Sequence, residues 1–181
     1  CIAGVFGGED SGVTESTVDV FLESAYFDPG SIRKTSKTHT LQTDASFRYE
    51  RGADPMITEY AAKRAALLIL EVAGGHIEGK MRRVCPEEPK KAVIELDYDR
   101  MQRLIGKKIG SDTIEAILTY MNYEFLSKSE NGSVVAAPSY MIDVTRECDV
   151  VEEVLRIYGY NNIELPTSMR MSVSPTPSPD P

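Results

Sequence analysis

The chain has few of the residues that build soft-metal centres and disulfide frameworks. Among its 181 residues are three cysteines and two histidines: Cys1, Cys85, Cys148, His39 and His76. An odd number of cysteines at wide, unpatterned spacing fits neither a zinc site nor a disulfide framework. This pattern excludes a small disulfide-rich fold and indicates a reducing cytoplasm.

Long apolar runs and a nucleotide-binding loop are also lacking. The sequence contains no run of about twenty apolar residues and no charged-then-apolar leader, so we expect a soluble protein that does not span a membrane. It contains no glycine-rich loop that cradles phosphates, so it offers no ATP site of its own. With 41% apolar residues, the sequence can still build the cores of one medium-sized or two small domains.

Charge is negative overall but unevenly distributed. The net charge of −8 weighs against the chain as a whole binding a phosphate backbone. Residues 31–51 nevertheless carry five basic and two acidic side chains, whereas residues 140–164 carry two basic and six acidic ones. The first segment suits an RNA end, and the second suits a cation or a basic partner.

The pattern of residues 1–86 predicts a layer of strand and helix. Residues 18–27 read as a strand that Asp28 and Pro29 end. Residues 43–55 form a dense polar loop, and Pro55 favours the start of a helix over residues 56–73. That helix has apolar positions at a 3.6-residue period and ends at a glycine pair. We therefore expect an α/β-layered unit.

A second, smaller domain is predicted over residues 90–166. The proline-bracketed segment 86–91 marks the boundary. A strand at 92–96 is followed by a helix that Asp97 caps, a second helix from Ser111 and a hairpin turning at Asn131 and Gly132. This order is winged-helix-like, and the whole chain is of the α+β class. Residues 167–181 are a proline-rich linker or the start of a next domain, and we expect the natural protein to continue beyond both ends.

Several residues in the first unit are candidates for a site, each with a plainer interpretation. Gly7 and Gly8 are typical of a tight turn after a buried strand. Glu23 interrupts an apolar segment, where a carboxylate is costly unless it is paired or faces solvent at a sheet edge. Thr43 and Asp44 are typical of local turn chemistry.

The acidic segment offers a candidate cation site. Asp149, Glu152 and Glu153 fall on one face of a helix, and Asp143 lies six residues earlier. Acidic residues in a first turn favour the helix dipole, and Arg156 can pair with Glu152 or Glu153. Like charges on one face also repel, and a hard divalent cation with oxygen ligands relieves that repulsion.

Three ordered segments, residues 2–9, 43–55 and 149–163, resemble the β subunits of bacterial phenylalanyl-tRNA synthetases. The resemblance runs from residue 2 to about 166. It implies that residues 1–86 are the C-terminal part of a tRNA-editing domain whose beginning lies upstream. The matching editing-pocket residues are Gly7, Glu23, Thr43 and Ala45.

The resemblance also implies roles for these residues. Gly7 leaves room for substrate, Glu23 accepts a hydrogen bond from the phenol of a mischarged tyrosine, and Thr43 and Ala45 form the pocket floor. A site that bonds a substrate hydroxyl discriminates strongly against an analogue lacking it. His39 is not promoted to a general base, because the family's pocket histidine lies upstream. Arg48, Glu50 and Arg51 are expected to form structural ion pairs.

For the second domain the resemblance implies a Mg²⁺ site close to the α subunit. Its ligands match Asp143, Asp149, Glu152 and Glu153. In the family an α₂β₂ heterotetramer joins phenylalanine to tRNA(Phe) with ATP, and the α subunit holds the synthetic site. The expected partners are thus the α subunit and the acceptor end of tRNA(Phe), and this part alone is expected to be inactive in aminoacylation.

Two other functions remain open. Both domains could serve only assembly and tRNA placement, with a degenerate editing pocket. A free-standing nucleic-acid-binding winged helix is the third interpretation, and the acidic charge of the second domain weakens it.

Overall fold

The computed structural model describes residues 1–164, apart from the side chain of Ser11. The linker predicted at 167–181 and the end of the domain predicted at 90–166 lie outside these residues. Within them the chain forms six α-helices and a three-stranded sheet. The predicted α+β class is confirmed.

The first unit is helical. Its helices are α1 (Pro29–His39), α2 (Asp44–Tyr49) and α3 (Thr58–Ala73). Helix α1 begins where the Asp28 side chain accepts a hydrogen bond from Ser31 N at 2.8 Å and Pro29 occupies the first turn. Asp28 and Pro29 therefore start a helix that the sequence analysis missed.

The strand predicted over residues 18–27 is wrong. This segment forms no helix or strand, and Val18 and Phe21 are 91% and 96% exposed. An extended segment is stable only when a neighbouring strand pairs with its backbone groups. Before residue 93 the only β pairing is an isolated bridge between Ile2 and Phe6. The described part of the first unit is thus helices with irregular chain, without the predicted α/β layering.

Helix α3 confirms the helix predicted over residues 56–73 but begins at Thr58. Asp54 Oδ1 accepts a hydrogen bond from Met56 N at 2.9 Å, which closes a turn just before the helix. No α3 residue is buried by the described residues, and Leu67 and Val72 are well exposed. The apolar stripe of α3 is therefore uncovered in this part of the chain.

Gly52 brings the first unit against the loop before the last helix. Its φ is +87°, and a β-carbon built on it would overlap Ile142 Cδ1. Only glycine combines this backbone conformation with such a close approach. The Ile142 side chain is thus seated directly on the Gly52 backbone.

Residues 74–92 form neither helix nor strand, and the second unit follows them. Its elements are β1 (Val93–Asp97), α4 (Tyr98–Ile105), α5 (Ser111–Tyr120), β2 (Glu124–Ser129), β3 (Gly132–Ala136) and α6 (Glu147–Tyr158). The antiparallel sheet has the order β1-β3-β2. The predicted hairpin is confirmed, and the boundary predicted at 86–91 stays a prediction within irregular chain.

One core holds the second unit together. The least exposed side chains come from α4, α5, β3 and α6: Met101, Ile114, Leu118, Val135, Val150 and Val154. The Asp97 side chain accepts a hydrogen bond from Arg100 N at 3.0 Å, which confirms the predicted cap of α4. The apolar face of α6 lies in this core, and this packing fixes the direction in which the acidic face of α6 points.

Candidate functional site

The acidic residues of α6 flank its buried stripe. Val150 and Val154 are fully buried, while the side chains of Asp149 and Glu153 are 17% and 22% exposed. Glu152, which directly precedes Glu153 in the chain, is exposed. Asp149 and Glu153 therefore lie at the border between core and solvent.

Asp149 is held by the start of its own helix. Its Oδ2 accepts hydrogen bonds from Thr145 N at 3.1 Å and Arg146 N at 2.9 Å. Arg146 Nη2 lies 2.9 Å from Oδ1. The Arg146 hydrogen bond and these backbone donors hold the pKa of Asp149 well below its usual range. This carboxylate caps the helix and pairs with a cation at the same time.

Glu153 is paired one turn further along. Arg156 Nε lies 3.1 Å from Glu153 Oε2, and its Nη2 contacts the same oxygen. This hydrogen bond to Glu153 raises the pKa of the Arg156 guanidinium. The pairing of Arg156 with a neighbouring glutamate was foreseen from the sequence, whereas the Arg146–Asp149 pair was not.

The four predicted metal ligands are not gathered in this structure. Within residues 1–164, no three histidine, cysteine, aspartate or glutamate side chains lie close enough together to hold a metal ion. Carboxylates are the oxygen donors that Mg²⁺ takes, so the chemistry of the set fits. For these carboxylates to bind a cation together, the ion pairs of Asp149 with Arg146 and of Glu153 with Arg156 would have to break. The magnesium site at Asp143, Asp149, Glu152 and Glu153 stays a prediction.

A buried tyrosine belongs to the core into which α6 packs. Tyr123 is 5% exposed, and its hydroxyl has no hydrogen-bond partner within the described residues. Burial raises the pKa of Tyr123 to about 12, and the charges of Glu153 and Asp149 add to the shift. No sequence signal marks this residue, since its importance depends on which helix packs over it.

Of the predicted editing residues, Thr43 has the most contacts. Its Oγ1 donates to the carbonyl oxygen of Val5 and accepts from Ser46 N at 3.0 Å, while Thr43 N donates to Ser46 Oγ at 2.9 Å. This capping box starts α2, so the predicted polar loop contains a short helix. Ala45 lies in the first turn of α2 and is exposed. Thr43 thus ties α2 to the loop that leads to Gly7.

The other two predicted pocket residues are less constrained. Gly7 is exposed, and a β-carbon built on it would meet nothing within 4 Å. Glu23 lies in the irregular segment and makes no hydrogen bond or ion pair within residues 1–164. The structure therefore brings Thr43 and Ala45 together and does not link Glu23 to them. The editing roles of all four residues stay predictions.

Two arginines of the basic segment 31–51 contact other parts of the first unit. Arg51 Nη1 lies 3.1 Å from Glu50 Oε1, and its guanidinium stacks 3.6 Å from the centroid of the Phe47 ring. Arg33 Nη2 donates to the carbonyl oxygen of Glu50 at 2.9 Å. The predicted ion pair between Glu50 and Arg51 is confirmed.

None of the helices in residues 1–164 combines the length and the apolar character needed to cross a bilayer.

Two family models match the chain, one for each unit. Residues 1–74 match the B3/4 domain, and residues 94–160 match the tRNA synthetase B5 domain. The two matches together identify the chain as part of a tRNA synthetase.

Full-length relatives narrow this class. The chain is 50% identical over 174 residues to the phenylalanine–tRNA ligase beta subunit of Bacteroides fragilis strain YCH46, covering 96% of this chain and 21% of that protein. It is 47% identical to that of Porphyromonas gingivalis with the same two shares. It is 41% identical to that of Dickeya dadantii, covering 96% of this chain and 22% of the relative. The chain belongs to the family of phenylalanine–tRNA ligase beta subunits and spans about a fifth of their length.

Proposed function

We propose that this chain contributes to hydrolytic editing of tyrosyl-tRNA(Phe) and to magnesium-linked assembly with the α subunit of a phenylalanine–tRNA ligase. The whole enzyme charges tRNA(Phe) with phenylalanine using ATP in the cytoplasm, as an α₂β₂ heterotetramer. The first unit meets the acceptor end of the tRNA, and the second faces the α subunit. The observation that carries the proposal is the ordered match of both units to beta subunits of this family.

The editing role is supported by the position of Thr43. Its hydrogen bonds fix the start of α2 against the loop before Gly7, so the small residues Thr43 and Ala45 sit on a rigid helix end. Small side chains at such a place leave room for a substrate. Glu23 supplies the acceptor for the tyrosine hydroxyl once its segment pairs with the rest of the editing domain.

A hydrolysis assay with tyrosyl-tRNA(Phe) tests this role in the assembled full-length enzyme. Glu23→Ala is expected to slow hydrolysis while phenylalanine charging stays near the parent rate, because the carboxylate contacts only the extra hydroxyl. Glu15→Ala, an exposed acid in the same stretch of chain, is the matched control. Equal hydrolysis by parent and Glu23→Ala would reject the editing role of Glu23.

The assembly role is supported by the two half-buried carboxylates on α6. Asp149 and Glu153 are fixed at the border of the core, and both become available to a cation if Arg146 and Arg156 move away. Mg²⁺ bound there would supply positive charge that offsets the like charges on this face. Magnesium usually takes one or two direct carboxylates and keeps several waters, so some of the four act through water.

Subunit association across a magnesium titration tests the assembly role. Asp149→Asn combined with Glu153→Gln keeps hydrogen-bond acceptors on the helix but removes two charges. We expect this double variant to associate more weakly with the α subunit and to lose its dependence on magnesium. Glu130→Gln, an exposed acid at the hairpin turn, is the control. Association that responds to magnesium as in the parent would leave the carboxylates as helix-stabilising surface charges.

The alternative is a module for assembly and tRNA placement without editing. The lack of any partner for Glu23 within the described residues is the observation that favours it. The two functions differ in the hydrolysis assay, since the module predicts that no substitution at Gly7, Glu23, Thr43 or Ala45 affects the clearance of tyrosyl-tRNA(Phe).

A further inference from the structure

Phe47 is an exposed aromatic side chain on the helix that Thr43 and Ala45 begin. It is 51% exposed although the Arg51 guanidinium lies 3.6 Å from the centroid of its ring. A cation in this position covers one face of the ring. The exposed surface of Phe47 therefore includes the ring edge and the opposite face, on which no other ring or cation of residues 1–164 stacks.

The stack of Arg51 on Phe47 is held in place by hydrogen bonds. Arg51 Nη1 donates to the carbonyl oxygen of Phe47 at 2.8 Å and lies 3.1 Å from Glu50 Oε1. Arg33 Nη2 of α1 donates to the carbonyl oxygen of Glu50 at 2.9 Å, which ties the end of α2 to the neighbouring helix. An exposed ring that is already fixed loses less conformational entropy when a ligand binds to it.

The position of Phe47 along α2 indicates which ligand can reach it. Its backbone N–H donates to Thr43 O at 2.9 Å, so the residue lies one helical turn beyond Thr43. Thr43 and Ala45 are the residues proposed to lie beside the ester of a mischarged tRNA. That ester is on the terminal ribose of the tRNA, and the terminal base is attached to the same sugar. An ester placed at Thr43 and Ala45 thus brings the terminal base within reach of the Phe47 ring.

The charge around Phe47 favours a nucleic acid over a protein surface. Residues 31–51 carry five basic and two acidic side chains. The side chains of Lys34, Lys37 and Arg48 are exposed and make no hydrogen bond or ion pair within residues 1–164. An aromatic ring among free cations suits a single-stranded RNA end, since the ring stacks a base and the cations attract phosphates. An apolar protein surface would instead bury these cations without a counter-charge, which is costly.

We propose that the exposed face of Phe47 stacks on the terminal base of tyrosyl-tRNA(Phe) and thereby holds the ester of that tRNA over Thr43 and Ala45. The inference rests on the proposed editing function and names a substrate-binding residue for it. Every base has a face that can stack on a ring, so this contact positions the RNA end without reading its sequence. Arg51 supports the ring from the other side.

The test uses three variants of the assembled full-length enzyme. Phe47→Leu keeps an apolar side chain but removes the ring, and Phe47→Tyr keeps the ring. Tyr60→Leu removes an aromatic ring that is 66% exposed on α3 and serves as the matched control. Each enzyme hydrolyses two substrates: tyrosyl-tRNA(Phe) with its natural end, and a chemically charged form whose terminal nucleotide lacks its base. Phenylalanine charging and association with the α subunit are measured in parallel.

We expect Phe47→Leu to lower kcat/KM for hydrolysis of the natural substrate by about tenfold, because one base loses its stacking partner. Phe47→Tyr and Tyr60→Leu should hydrolyse it at close to the parent rate, and phenylalanine charging should be unchanged in all three variants. On the substrate without a terminal base, the parent and Phe47→Leu should be equally slow, because the ring and the base act together.

The possible failures are distinguishable. If Phe47→Leu hydrolyses the natural substrate as fast as the parent does, the role of Phe47 is rejected and the editing function stands. If Phe47→Leu slows hydrolysis by the same factor on both substrates, the ring does not act through the base and the inference is rejected. If only association with the α subunit weakens, the ring contacts protein instead of RNA, and the inference is again rejected. If the parent itself hydrolyses no tyrosyl-tRNA(Phe), both the editing function and this inference are rejected.

Discussion

At the scale of single residues, the clearest feature of the second unit is a polar group of three side chains on its sheet-and-helix surface. Glu115 lies beside the Tyr98 hydroxyl, and Lys128 Nζ contacts its other carboxylate oxygen. The hydrogen bond from Lys128 holds the pKa of Glu115 below its usual range, and Tyr98 adds to the effect. These contacts link α5, the start of α4 and the hairpin.

The charge of Glu115 should therefore stabilise the fold at neutral pH. Because its pKa is lower in the folded than in the unfolded chain, this contribution is complete above the ordinary value of 4.5 and is lost as the pH falls below it. The difference in unfolding free energy between parent and Glu115→Gln should shrink from pH 7 to pH 3. Urea unfolding followed by circular dichroism measures it, with Glu130→Gln as control. A difference that stays constant over this range would contradict the expectation.

At the scale of secondary-structure elements, capping side chains decide where several helices begin. Asp28, Thr43 and Asp97 each accept a hydrogen bond from a backbone N–H in the first turn of α1, α2 or α4. An unpaired N–H at a helix start is costly, so one side chain fixes the boundary.

Replacing the α4 cap should lower stability measurably. Asp97→Ala is expected to reduce the unfolding free energy by about 1 kcal/mol, because the Arg100 N–H loses its acceptor. Asp99→Ala removes a carboxylate from the same turn without removing a cap, so it should cost less. Urea unfolding of the two variants against the parent measures the difference. If Asp97→Ala and Asp99→Ala lower the unfolding free energy equally, the capping hydrogen bond adds no stability beyond that of the negative charge.

The elements that sequence predicted well are those with local signals. Asp97 as a cap, the apolar spacing of α5 and the turn at Asn131 and Gly132 each depend on neighbouring residues in the chain. The strand prediction for residues 18–27 failed because a strand also needs a neighbouring strand to pair with, which the local sequence does not show. Helix α2 was missed because its capping box was taken for turn chemistry.

The candidate site likewise has features that the sequence predicted and features that it did not. Helical spacing was enough to place Asp149, Glu152 and Glu153 on adjoining positions of α6 and to suggest a pair with Arg156. The ion pair between Arg146 and Asp149 depends on the backbone conformation at the start of α6, which the sequence pattern does not specify. The unsatisfied Tyr123 hydroxyl depends on how α5 and α6 pack, which no local pattern in the sequence encodes.

At the scale of the whole molecule, the two units differ in how much apolar surface they bury. The second unit has a continuous core, whereas the first leaves large apolar side chains exposed within the described residues, including Phe21, Leu67 and Val72. We expect another segment or protein to cover these side chains.

This surface should bind the dye anilinonaphthalene sulfonate in the parent chain. Phe21→Ser combined with Val72→Gln is expected to lower dye fluorescence without lowering the urea midpoint, since neither side chain is buried. Val13→Ser, a single exposed residue, is the control. A drop in the midpoint would show that these side chains are buried in solution, contrary to the structure.

The contact between Gly52 and Ile142 predicts a stability difference between two glycines. Gly52→Ala should cost more than Gly106→Ala, because both have positive φ but only Gly52 has a side chain against it. The φ strain alone is about 1–2 kcal/mol. The loss of unfolding free energy caused by Gly52→Ala should be smaller in an Ile142→Ala background than in the parent, because the truncated side chain leaves room for the new β-carbon. Urea unfolding measures this, and simple additivity of the two changes would contradict it.

The same contact constrains how the two units can evolve. Any residue with a β-carbon at position 52 has to push Ile142 aside, and Ile142 directly precedes Asp143 in the loop that enters α6. A substitution at position 52 would therefore displace the loop that enters α6, and a larger residue at 142 would press on the Gly52 backbone. We therefore expect a change at either position to require a compensating change at the other, which makes this one contact a point where the two halves of the chain constrain each other.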